Sequence, residues 1–293
     1  TKNNCKSIFA DDKVFSDYED TMKYTWTYQD DLPPDVKFVK LFCGGEDYVK
    51  LLPKHDAKEY KTLENKIKNT LKSYSVCGYD PRKFCLDELI EKTFIEDFFN
   101  LKNKAMELAV KNYQEPKNYA QLEKIERMVH SISKRSLNLD LTNVYTSAND
   151  NRIRKIIKRY SSNPAFILYN TFGTVTGRLS TTPSSFPLLT LNKEYRTMIK
   201  PNNGVFIEFD YNAFELRVLT ALLGREQPKG DIHDWNIKNI FKDGTERSEA
   251  KKRIFAWLYN PNSDDALLSR EYDRGGLLKK YFSDGKITTD FDR

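Results

Sequence analysis

The chain has 293 residues and carries 48 Lys and Arg against 42 Asp and Glu, a formal net charge of +6. That length accommodates one large domain or two around a sizeable core. With 39% hydrophobic residues and a mean hydropathy of −0.68, it contains no apolar run approaching a membrane span, and its first residues lack a signal-peptide pattern. The four cysteines, Cys5, Cys43, Cys77 and Cys85, form no close CxxC pair, so the spacing suggests neither a zinc site nor a disulfide framework and favours a reducing compartment.

Residues 1–56 hold aromatic and acidic segments, with DDLPPD at 30–35 read as a turn and VKFVKLF at 36–42 as a strand. Residues 57–76 and 86–113 read as long helices separated by the loop CGYDPRKF, and a third helix spans 119–134. The run RIRKIIKR at 152–159 predicts an amphipathic helix with Ile153, Ile156 and Ile157 inward. Arg152, Arg154, Lys155 and Lys158 then occupy the opposite face as a local basic surface. At 205–210, VFIEFD alternates apolar and polar residues like a half-buried strand, and AFELRVLTALL at 213–223 has helical spacing. No repeat or low-complexity tract is present.

The stretch RSEAKKRIFAWLY, residues 247–259, sets Arg247, Lys251, Phe255 and Tyr259 four apart. On a helix, successive members rotate by only about 40°, so two cations and then two rings form one slowly turning stripe. A triphosphate suits its charged half and a base its aromatic half. Taken alone, such a stripe also describes a solvated basic helix whose rings pack inward. Asp210 closes the 205–210 strand, where a rigid backbone aims a carboxylate at a hard cation, although a lone Asp there is also an ordinary cap or turn former.

Four elements occur in a fixed order: TGRLS within TVTGRLSTTPSS (174–185), DYNAFELR, DIH within DIHDWNIKNIF (231–241), and R-x3-K-x3-F with a Tyr four residues on. From about residue 166 onward this order resembles the family A DNA polymerases, the group of bacterial DNA polymerase I and many phage replicases. The resemblance implies an α+β, right-hand polymerase architecture with a helical thumb, a partial antiparallel-sheet palm and helical fingers. Its parts would be an N-terminal segment of uncertain role (1–56), a thumb-like region (57–165), the first part of the palm (166–230), fingers (231–283) and the start of a return to the palm (284–293). It implies DNA replication chemistry: nucleotidyl transfer from a dNTP to a primer 3′-hydroxyl on primer-template DNA, with two Mg²⁺ ions, or Mn²⁺, in the cytoplasm of a bacterial or phage-infected cell.

Carried over by motif, Asp210 resembles the aspartate that binds both metals, with the Tyr211 carbonyl as a further ligand. Glu215 resembles the residue that blocks a ribose 2′-hydroxyl. His233 and Arg247 match contacts to the β- and γ-phosphates, and Lys251 matches the lysine that holds the triphosphate and gives a proton to the leaving group. Phe255 corresponds to the ring over the incoming sugar and base, and Tyr259 to the ring at the templating position. Arg178, with Thr176 beside it, resembles the loop near the primer terminus, where backbone contacts fix register without reading sequence. The resemblance would also place the basic surface of Arg152, Arg154, Lys155 and Lys158 where a DNA duplex passes.

The chain departs from the family at Ala256 and Asn260, where glycines are usual, and at Asn212, Ala213 and Phe214, where Ser-Gln-Ile is usual. The family's Gln-Asn element after TGRLS is not recognisable. Of the three histidines, His55, His130 and His233, none begins the downstream His-Asp pair that supplies the other catalytic carboxylate. The 293 residues alone are therefore expected to be inactive, needing a C-terminal palm segment or companion polypeptide. A non-catalytic nucleotide- or nucleic-acid-binding module is the alternative. A single-subunit RNA polymerase is disfavoured by Glu215.

Overall fold

The computed structural model describes residues 8–10, 13–15, 23–26, 33–81, 84–147, 149–260, 262–283 and 285–287. The fold is mixed α+β and mostly helical. It divides into two compact units, Thr1–Lys200 and Pro201–Arg293.

In the first unit, β1 (Ile8–Ala10) and β2 (Lys13–Phe15) form an antiparallel pair, and β3 (Tyr24–Thr25) pairs in parallel with β4 (Lys37–Phe38). The expected strand at 36–42 stops there, because Val39–Phe42 is a helical turn, α1. Phe38, Val39 and Leu41 are all buried, and a short apolar run of this kind fits a buried helix as well as a strand. Gly44 and Gly45, both at positive φ, end the turn in the conformation that glycine adopts without strain.

Two long helices follow. Helix α2 (Lys54–Val76) matches the expected helix, whereas the one expected at 86–113 is two: α3 (Leu86–Leu89) and α4 (Lys92–Asn112). The break falls at Ile90, whose extended backbone turns its side chain into the core. Tyr60, Leu63 and Ile67 of α2 pack with Ile95, Phe98 and Ala105 of α4, and the Tyr60 and Phe98 rings stack at 4.8 Å. Helix α5 (Tyr119–Ser133) falls where the third helix was expected.

Next come β5 (Asn138–Leu139), α6 (Asn151–Tyr160), the antiparallel pair β6 (Tyr169–Asn170) and β7 (Ser180–Thr181), and β8 (Ile199–Lys200), which pairs with β5. Helix α6 buries Ile153, Ile156 and Tyr160 against Phe186, Leu191 and Met198.

The second unit comprises α7 (Phe214–Leu222), α8 (Ile232–Asn236), a π turn over Ile237–Phe241, α9 (Arg247–Tyr259), α10 (Ala266–Tyr272), α11 (Arg274–Tyr281) and the antiparallel pair β9 (Phe282–Ser283) and β10 (Lys286–Ile287). Its core joins Leu216, Ile232, Phe241, Ala250, Ile254, Trp257, Leu268 and Tyr272. Trp257 lies at its centre, donating from Nε1 to Ser269 Oγ (3.0 Å) beneath the Arg274 guanidinium.

Two further expectations are corrected. Residues 205–210 do not form a strand, because among the described residues no other segment pairs with them; Phe209 is 90% and Ile207 74% exposed. Alternation shows which side chains suit a buried face, but a strand also needs a neighbour for its N–H and C=O groups. Among the described residues, every sheet is a two-stranded pair. The second correction concerns the cysteines: Cys85 is disulfide-bonded, while Cys43 and Cys77 are free. Spacing along the chain does not reveal pairs that the fold brings together. Cys5, the first half of the 30–35 turn and most of 284–293 lie outside the described residues.

Candidate nucleotide-binding site

Helix α9 forms as its pattern predicts. Ala250, Ile254 and Trp257, at helical spacing, are buried, and the stripe that starts at Arg247 turns away from them into solvent. Arg247 and Lys251 are exposed, Phe255 is half-buried, and Tyr259 is 61% exposed. The Phe255 and Tyr259 rings stack at 5.8 Å with 15° between their planes, and the Lys251 ammonium sits 5.8 Å from the Phe255 centroid. An open cleft of about 820 Å³ runs along this face, lined by Glu246, Arg247, Ser248, Lys251, Lys252 and Phe255.

Helix α8 delivers the next group. Asp231 caps it, accepting at Oδ1 from the N–H groups of His233 (2.8 Å) and Asp234 (3.1 Å). This cap fixes His233, which is buried with its ring centroid 6.0 Å from that of Phe255. His233 Nδ1 is buried without a hydrogen-bond partner, so the side chain has unused capacity beside the cations of α9. Burial first, and then Arg247 and Lys251, push its pKa below the ordinary histidine value, against the opposing pull of Asp231 and Asp234.

A histidine with a lowered folded-state pKa is neutral in both states above the unfolded value of about 6.5. Below it, the unfolded chain takes the proton first, so stability falls as pH falls. Urea unfolding at pH 7 and pH 5 is expected to show a smaller acid-side loss in His233→Asn than in the parent. An identical loss in both would contradict the buried, neutral assignment.

The segment between 210 and 214 is tied to the same helices. Asn212 donates from Nδ2 to Asp231 Oδ2 (2.8 Å) and accepts at Oδ1 from the Ile232 N–H (3.0 Å). Arg217 of α7 donates to the carbonyls of Asn212 (2.9 Å), Pro228 (3.2 Å) and Gly230 (2.5 Å), drawing the connection between α7 and α8 back onto this loop. These bonds hold Ala213 in the left-handed region, at φ 48°, which costs a non-glycine residue about 1–3 kcal/mol. Glu215, on the first turn of α7, accepts from the Tyr259 hydroxyl (3.0 Å).

The second unit therefore brings together Glu215, His233, Arg247, Lys251, Phe255 and Tyr259. Asp210 and Tyr211 are exposed, two residues and one residue before Asn212, with the Tyr211 ring 5.4 Å from that of Phe214. Among the described residues, no group of three His, Cys, Asp or Glu side chains is arranged to hold a metal ion.

The candidate DNA contacts belong to the first unit. Arg152, Arg154, Lys155 and Lys158 are exposed along α6, opposite Ile153 and Ile156 as expected. Thr176 and Arg178 are exposed in the turn before β7, where the Thr174 hydroxyl donates to the Arg178 carbonyl (2.7 Å).

Sequence reasoning missed Asn212, Asp231 and Arg217. An Asp directly before a helical run is a recognisable cap, but its bonds to Asn212 and Arg247 span 19 and 16 residues and leave no local signal. Comparison with protein-family models, characterised proteins and solved structures finds no match to this chain.

Proposed function

We propose that this chain is the nucleotide-binding part of a template-directed DNA polymerase with a right-hand architecture, acting on dNTPs and primer-template DNA. The observation that carries it is the solvent-facing side of α9, where two cations lead into two stacked rings beside the unsatisfied Nδ1 of His233. A nucleoside triphosphate has that same division between polyanion and π-face. Arg247 offers a planar fork to phosphate oxygens, and Lys251 offers a point charge that can also release a proton. Phe255 and Tyr259 offer stacking area, and Glu215, bonded to Tyr259, sets a carboxylate beside that end of the stripe.

In nucleotidyl transfer, the primer 3′-oxygen attacks the α-phosphorus and the bond to pyrophosphate breaks. His233 and Arg247 would grip the outgoing phosphates, and Lys251 would pass a proton to the leaving oxygen. Glu215 would exclude a 2′-hydroxyl by crowding it. Asp210 and the Tyr211 carbonyl would hold Mg²⁺, which when bound stabilises charge on the attacking and leaving oxygens. The exposed cations of α6 and Arg178 would carry DNA phosphates. The exposed apolar side chains at 205–209, on a segment with no strand neighbour among the described residues, support completion of the palm by a further segment or companion polypeptide that brings the second carboxylate.

Titration of the chain with Mg·dATP tests the reading. Binding is expected, with Lys251→Ala weakening it by about tenfold or more through loss of a charge-assisted phosphate contact. Equal affinity in the parent and the variant would contradict the assignment.

A further inference from the structure

We propose that Asp231 is an internal counter-anion that occupies Arg247 in the nucleotide-free protein, so that triphosphate binding is a competition between a carboxylate and a phosphate for one guanidinium. The inference rests on the α9 face being the triphosphate site. It concerns a residue to which that reading gives no role.

Four donors reach the Asp231 carboxylate within 3.1 Å. Oδ1 takes the two α8 N–H groups, and Oδ2 takes Arg247 Nη2 (2.6 Å) and Asn212 Nδ2 (2.8 Å). Asp234 adds a second carboxylate 3.5 Å from Arg247 Nε. Burial tends to raise the Asp231 carboxyl pKa, but bonds from Arg247, the Asp234 N–H, Asn212 and the His233 N–H outweigh it and hold it well below the usual range. Asp231 is therefore charged wherever the protein is folded near neutral pH.

The division of labour between its oxygens makes this contact a latch rather than a structural tie. If Arg247 swings to a phosphate, Oδ1 still caps α8 and Oδ2 still holds Asn212. His233 and the 210–213 loop therefore keep their positions while the cation is released. Arg247 is the more exposed partner, its side chain 51% accessible against 23% for Asp231, so it is the group free to move. Until a ligand arrives, the pair keeps Arg247 at the mouth of the cleft and gives weaker anions a competitor they must displace.

Removing the charge while keeping a cap should release Arg247. Asp231→Asn is nearly isosteric, and Asp231→Ser caps without setting an amide against Asn212; both residues are good N-caps. Calorimetric titration of the full chain with inorganic tripolyphosphate is expected to give affinities about fivefold tighter in both variants, the scale of a half-exposed ion pair. Unchanged or weaker binding in folded variants overturns the latch. A second measurement needs no variant: the ¹³C shift of the Asp231 carboxyl carbon in the parent should move on adding tripolyphosphate, and a stationary signal at saturation also overturns it. If the parent binds neither tripolyphosphate nor Mg·dATP, the reading of α9 fails instead. If Lys251→Ala weakens binding while the Asp231 variants do nothing, only the latch fails.

Discussion

Replacing Asp210 with Ala is expected to abolish Mg²⁺-dependent primer extension in a protein whose second carboxylate is supplied, a loss of about a thousandfold or more. The magnitude follows from the several kcal/mol of charge stabilisation that a catalytic metal provides, at roughly 1.4 kcal/mol for each tenfold in rate. The geometry that motivates the prediction is a chain of short connections. Asp210 lies two residues before Asn212, Asn212 is bonded to Asp231, and Asp231 caps α8, which holds His233 beside Phe255 of the α9 stripe. A carboxylate on this segment is therefore tethered to the elements that would hold the phosphates. Primer extension by the parent and Asp210→Ala, with dNTP binding as a control, checks it. Full extension in the variant would remove the metal role, and loss of dNTP binding along with extension would indicate a folding defect instead.

The second large effect concerns stability. Trp257→Ala is expected to lower the unfolding free energy of the second unit by about 3–5 kcal/mol, the range for deleting a fully buried large aromatic side chain. Trp257 has no exposed surface, packs with Tyr272 (centroids 6.1 Å apart), and lies beneath Arg274, whose guanidinium also bonds the carbonyls of Trp257, Asn260 and Ser263. The same helix carries Phe255 and Tyr259, so the cavity would loosen the end of α9 that presents the rings. Urea denaturation followed by far-ultraviolet circular dichroism checks the value. A loss under about 1 kcal/mol would mean that this residue does not anchor the helix.

Much of the second unit was legible from the chain itself. The four-residue spacing of Arg247, Lys251, Phe255 and Tyr259 fixes a common stripe once the helix exists, and Ala250, Ile254 and Trp257 supply the buried side that makes it exist. Helices α2 and α5 and the amphipathic α6 follow from the same periodicity, a local property that a single sequence carries well. Where longer-range partners decide, the reading failed. VFIEFD has a strand's composition and finds no neighbour among the described residues, VKFVKLF turns helical after Phe38, and the helix expected at 86–113 breaks where Ile90 enters the core. The bonds from Asp231 to Asn212 and Arg247 are likewise tertiary. They involve Asn212, a position where this chain departs from the family it resembles, so neither periodicity nor resemblance pointed to them.

The central claim is that the exposed face of α9 receives a nucleoside triphosphate, and a crystal structure of the chain with a non-hydrolysable dATP analogue and Mg²⁺ tests it most directly. The expected result has phosphate oxygens within hydrogen-bonding distance of Lys251 and Arg247, and the base or sugar against Phe255. Ordered nucleotide elsewhere, with the α9 face empty at saturating concentration, would contradict it.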